Sequence, residues 1–166
     1  MKTFDQTTRR TNPWMHGIVI GFFAGLIWGT LRFVQYYFNF TEVHPAFLLQ
    51  GFVPKAYFHT WYVGLAGWLA FIGFSILAAL VYTVFLRKLS GPWWGIGYGI
   101  VWWIAMYGLI GPPLGMMKRF GLLDWNSVFT DLSLYTVWGL FIGYSIAFEF
   151  NDERIQDVNG KVPNPT

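Results

Sequence analysis

Four long apolar blocks, rather than short alternating strands or amphipathic stripes, organise the 166-residue chain. The first runs from Trp14 to about Phe38 and is opened by Asn12-Pro13, where an oxygen side chain can cap free amides and a proline sits where no donor is needed. The second, Trp61 to Leu86, is uncharged and stops at Arg87-Lys88. The third, Trp93 to Gly111, is also uncharged and lies between Gly91-Pro92 and Pro112-Pro113, so proline marks both of its ends. The fourth spans about Ser127 to Phe148, with Asp124 or Asn126 as a cap and Glu149 as its close. Each block has roughly the 20 residues that cross a hydrocarbon layer about 30 Å thick. The pattern predicts an all-α integral membrane protein, an antiparallel bundle of four transmembrane helices.

Three stretches follow: a cytoplasmic N-terminal tail, residues 1–12; a membrane domain, 13–150; and a cytoplasmic C-terminal tail, 151–166, whose polar composition and Val-Pro-Asn-Pro-Thr ending predict disorder. Orientation rests on where lysine and arginine fall, because positively charged loops stay in the cytoplasm. Lys2, Arg9, Arg10, Arg87, Lys88, Arg154 and Lys161 share one side; Lys55, Lys118 and Arg119 share the other, with Arg32 near it. Both termini are therefore expected inside, with the long connections 39–60 and 112–126 outside, on the membrane surface or folded over the bundle. The first block follows Lys2, Arg9 and Arg10, as a signal peptide would, but no small-residue cleavage site follows a short apolar core, and it reads as a permanent span. Trp14, Trp93, Trp94 and Phe150 suit one interface and Tyr36, Tyr37, Trp61, Tyr62 and Trp125 the other, while Trp102 and Trp103 lie too deep for a belt and read as packing residues.

Composition strengthens this picture: 55% of residues are hydrophobic, 22% aromatic and only 11% charged. Soluble domains carry roughly 25% charged residues. The net charge of +3 does not signal nucleic-acid binding, since the basic residues are scattered at block edges. Cysteine is absent, which excludes disulfides, thiolate metal sites, cysteine nucleophiles and a cysteine-linked lipid anchor.

Glycine supplies the strongest local pattern. Gly17, Gly21, Gly25 and Gly29 form an unbroken four-residue ladder; Gly91, Gly95 and Gly99 repeat it in the third block, and Gly139 with Gly143 in the fourth. Such ladders let helix backbones approach closely in lipid, inside the bundle or across a homodimer seam. Arg32 and Asp131 are the ionisable residues inside the spans, and both are placed near the outer interface. They snorkel to the headgroups or pair across helices one and four; a translocation role is the remaining option. Glu42, His44 and His59 lack the spacing of a metal site, and His16 reads as interfacial. No phosphate loop, carboxylate pair or Ser-His-Asp set can be assembled, so no enzyme, cofactor or metal is expected.

Phe40-Thr41-Glu42-Val43 with Pro45, the run Gly91-Pro92-Trp93-Trp94-Gly95-Ile96-Gly97-Tyr98-Gly99, and Phe141 through Glu149 carry a further signal. Together with the glycine-rich first helix they resemble the YqhR family of small membrane proteins from Gram-positive, mostly endospore-forming bacteria. The resemblance covers about Trp14 to Glu149, with His44 standing where a glycine is expected before the proline. It implies a bacterial plasma-membrane location and carries over no catalytic residue. The functional expectation is a small accessory or scaffold protein of the cell envelope, in contact with the bilayer and binding another membrane protein, or a second copy of itself, through glycine-rich helix faces. The alternative is a small oligomeric transporter or channel subunit.

Overall fold

The structure, a computed structural model, describes residues 12–159 apart from 59 and 90. Asn12 starts the first helix: its side-chain oxygen accepts the Trp14 N–H at 3.1 Å, and Pro13 takes the first helical position. Four helices follow in order: α1 (Pro13–Tyr37), α2 (Trp61–Phe85), α3 (Pro92–Ile104) and α4 (Trp125–Asn159). A wide π-helical turn, Ala105–Ile110, extends α3, so that the third membrane segment is Pro92–Ile110. All four segments are long and apolar enough to cross a membrane, and their ends fall within a few residues of those read from the sequence.

Backbone proximity divides the bundle into two hairpins. In the first, the α1 ladder lies on α2: a Cβ added to Gly21 would sit 2.5 Å from Ile76 Cα, and one on Gly25 the same distance from Ile72 Cα. Gly17 abuts Thr83 and Gly29 abuts Trp68, so the ladder descends α2 as it climbs α1 and the pair is antiparallel. In the second hairpin, Gly95 of α3 lies against Gly139 and Leu140 of α4, Gly99 against the Tyr135 carbonyl, and Gly143 against Gly95. Without Cβ atoms both pairs gain dispersion contacts that any larger residue would forbid, the main cohesive force between helices that share a lipid solvent.

Large rings join the hairpins. Trp138 of α4 is fully buried and stacks on Phe74 of α2 at 5.6 Å, while its indole Nε1 donates to Ser75 Oγ at 3.1 Å. Trp102 meets the Phe74 ring edge-on at 4.9 Å, and the Tyr98 hydroxyl donates to the Ala78 carbonyl at 2.6 Å. Such ring pairs add about 0.5–1.5 kcal/mol each beyond the area they bury. The connection between α1 and α2 is part of the core: Val43, Ala46 and Phe47 are buried, and Ala46 presses against Gly67 of α2. Gly51 touches the Leu114 carbonyl, so the two long connections meet at one end of the bundle, here called the long-loop end.

Four expectations are corrected. The disordered tail from Asn151 is helical through Asn159, because no glycine or proline interrupts the sequence before Gly160; residues 160–166 lie outside the described residues, as do residues 1–11 of the N-terminal tail. Gly91 is not a packing glycine: nothing lies within 4 Å of a Cβ built there, and its φ of 112° serves the turn into Pro92. The ladders pack inside the bundle, onto α2 and onto α4, so what is corrected is only the use of these glycine faces to bind a partner. Phe150 is buried against His16 rather than set in an interfacial belt.

Candidate functional site

Arg32, one turn and a half from the end of α1, is 1% exposed, and Asp131, in the second turn of α4, is fully buried. Arg32 Nη2 lies 3.4 Å from Asp131 Oδ1. Two hydroxyls complete the carboxylate: Tyr107 donates to Oδ2 at 2.5 Å and Thr41 donates to the same oxygen at 2.7 Å. Tyr107 also accepts from Arg32 Nη2 at 3.3 Å. The guanidinium rests over the Phe47 ring, 4.3 Å from its centre, with the Tyr135 ring at 5.8 Å and Phe71 at 6.0 Å. A cation over desolvated rings gains about 2 kcal/mol, which partly offsets the loss of water.

Each member is placed by its own stretch of chain. The π turn widens the end of α3 and brings Tyr107 inward; such turns recur at functional positions because they re-aim one side chain without ending the helix. Thr41 is set by a tight turn in which its Oγ1 accepts the Val43 N–H at 3.1 Å. The turn is tied to α4 by the Glu42 N–H, which donates to Ser127 Oγ at 2.8 Å. The cluster therefore joins α1, the first connection, the end of α3 and the start of α4. A guanidinium keeps its proton in proteins, so Arg32 supplies a fixed positive charge beside the carboxylate.

The sequence places Arg32 and Asp131 at similar depth, and the structure brings them together; it adds Tyr107, Tyr135 and Phe47, and Thr41, whose stretch the sequence marks only for its family resemblance. Tyr107 and Tyr135 carry a readable signal, a hydroxyl inside a largely apolar span. His44 Nδ1 accepts the Ala46 N–H at 3.1 Å, and its ring packs against Tyr36 and Phe58. Glu42 pairs instead with Lys118, Nζ to Oε2 at 2.8 Å. His59 lies outside the described residues, among which no group of three or more His, Cys, Asp or Glu is placed to hold a metal.

Two cavities border this region and the membrane face. A vestibule of about 690 Å³ opens at the long-loop end beside Tyr36, Tyr37, Glu42 and Asp124, with Thr41 and Ser127 in its lining. A lateral groove of about 430 Å³ runs along α4 at Val137, Leu140, Phe141 and Tyr144, bordered by Trp28 of α1 and Pro92 of α3.

The family model described as conserved membrane protein YqhR matches residues 3–161. The chain is 33% identical over 133 residues to the uncharacterized protein YqhR of Bacillus subtilis (strain 168), covering 80% of this chain and 74% of that one. No solved structure matches.

Proposed function

The chain belongs to the YqhR family of conserved membrane proteins, and within that family we propose that it is a non-catalytic accessory or scaffold protein of the cell membrane that binds another membrane protein. One observation carries the reading: the middle of the bundle is filled. Trp138, Phe71 and Ser75 are buried to within 1% at the level where a pathway would pass, and Phe74 stacks on Trp138 with Trp102 edge-on against Phe74. The interior charges are committed to each other near one end, far from the midplane position that substrate sites in transporters occupy. With the glycine ladders used inside the bundle, the lateral groove along α4 is the contact surface in this reading, with a partner's transmembrane helix as its occupant.

A photoreactive residue at Val137, half exposed beside the groove, and another at Leu109, 72% exposed, separate the engaged face from a bystander. Crosslinking in native membranes is expected to give one discrete protein adduct from position 137 and none from 109. Adducts of the same mass from both positions, or adducts of the chain with itself alone, would set aside the groove-bound partner. Both termini are placed in the cytoplasm in this proposal, following the distribution of basic residues.

A further inference from the structure

We infer that the vestibule at the long-loop end binds an alkylammonium group, carried by the headgroup of a membrane lipid. Its lining combines two carboxylates, Glu42 and Asp124, with three aromatic rings, Phe33, Tyr36 and Tyr37. Carboxylates and rings in one lining suit an organic ammonium, which the carboxylates hold by charge and hydrogen bonds and the rings attract through their quadrupole, whereas a metal ion takes an all-oxygen shell. One of the two carboxylates already pairs with an ammonium of its own chain: Lys118 Nζ lies 2.8 Å from Glu42 Oε2. Two carboxylates and that one ammonium leave a net negative charge, and no salt bridge reaches Asp124 among the described residues.

The lining is built rather than incidental. Thr41 and Ser127 are buried and their hydroxyls are committed, to Asp131 and to the Glu42 N–H, so the floor is fixed while the acidic side chains above it remain exposed. Location selects the source of the cation. Tyr37, Trp61 and Trp125 are 81%, 80% and 68% exposed around the same end, the arrangement of an aromatic belt at headgroup level. A further cavity of about 460 Å³ shares Phe33 and Tyr36 with the vestibule and is lined beyond them by His44, Pro45, Phe58, Thr60 and Trp61, so the rings of Pro45, Phe58 and Trp61 give the apolar part of the same amphiphile a place to lie.

The full chain is placed in nanodiscs of phosphatidylglycerol alone and in nanodiscs with an equal share of phosphatidylethanolamine, and its melting temperature is compared. The wild type is expected to melt several degrees higher when the ethanolamine lipid is present. Asp124→Asn removes the charge yet keeps a good helix cap; it is expected to melt as the wild type does in phosphatidylglycerol and to lose the shift. Tyr37→Leu, at a largely exposed position, is expected to reduce the shift without altering the fold. A shift of equal size in the wild type and both variants, or none in the wild type, would overturn the proposal. Soluble ethanolamine in phosphatidylglycerol discs is expected to leave the melting temperature unchanged; reproducing the lipid's shift would move the site to a free amine and overturn the lipid assignment.

Discussion

Asp131 receives Arg32 on one carboxylate oxygen, at 3.4 Å, and the hydroxyls of Thr41 and Tyr107 on the other. This asymmetry decides what a charge variant will do. Deleting one partner strands a buried charge, which costs about 3–5 kcal/mol, whereas replacing both partners by apolar groups is often nearly neutral. Asp131→Leu is therefore expected to destabilise strongly in unfolding titrations, and the double variant Arg32→Met with Asp131→Leu to lie nearer the wild type than that single. Exchanging the charges is not expected to rescue, because a carboxylate at position 32 would face the Phe47 ring that now holds a cation.

The glycines divide into two classes by what surrounds them. Gly21→Ala and Gly25→Ala would place a methyl 2.5 Å from the α2 backbone, and each is expected to cost about 1–3 kcal/mol or more. Gly73→Ala and Gly97→Ala meet nothing within 4 Å and are expected to leave the melting temperature within about a degree or two of the wild type. Melting in detergent separates the classes directly.

The fold was legible because lipid imposes a coarse rule: four apolar blocks of spanning length, each ended by proline, charge or cap, have few other arrangements. The ladders were legible as packing surfaces, although the choice of α2 and α4 as their partners was not, since spacing alone does not say which helix supplies Ile72 and Ile76. Depth brought Arg32 and Asp131 to the same level. What spacing could not give was the rest of the cluster, for Thr41 arrives through a folded-in connection and Tyr107 through a π turn whose register follows from packing. The continuation of α4 past Phe150 was missed because a polar composition was taken to mean disorder, while the absence of any breaker before Gly160 was the better guide.

Thr41 ties the first connection to the ion pair through its hydroxyl. Thr41→Val keeps the shape, removes the donor to Asp131 and leaves the Val43 N–H without its acceptor. The unsatisfied groups are expected to cost about 1–3 kcal/mol. Hydrogen exchange over residues 41–47 should rise well above that in the helices; exchange unchanged from the wild type would show that packing of Phe47 alone holds the connection.

Orientation is tested on single cysteines in a chain that has none of its own. Phe52→Cys, at a position 76% exposed in the first long connection, is expected to react with an impermeant thiol reagent on intact cells, and Lys88→Cys only after permeabilisation. The reverse pattern would invert the topology.

The closed interior is tested most directly at Ser75, fully buried at mid-depth and hydrogen-bonded to the Trp138 indole. Ser75→Cys changes one atom, so the packing around it is retained. In membranes exposed to a small hydrophilic thiol reagent from both sides, the account predicts no modification of Cys at this position on the timescale that modifies Phe52→Cys. Rapid modification in the folded protein would mean that water reaches the middle of the bundle, and would favour a translocation pathway over an accessory role.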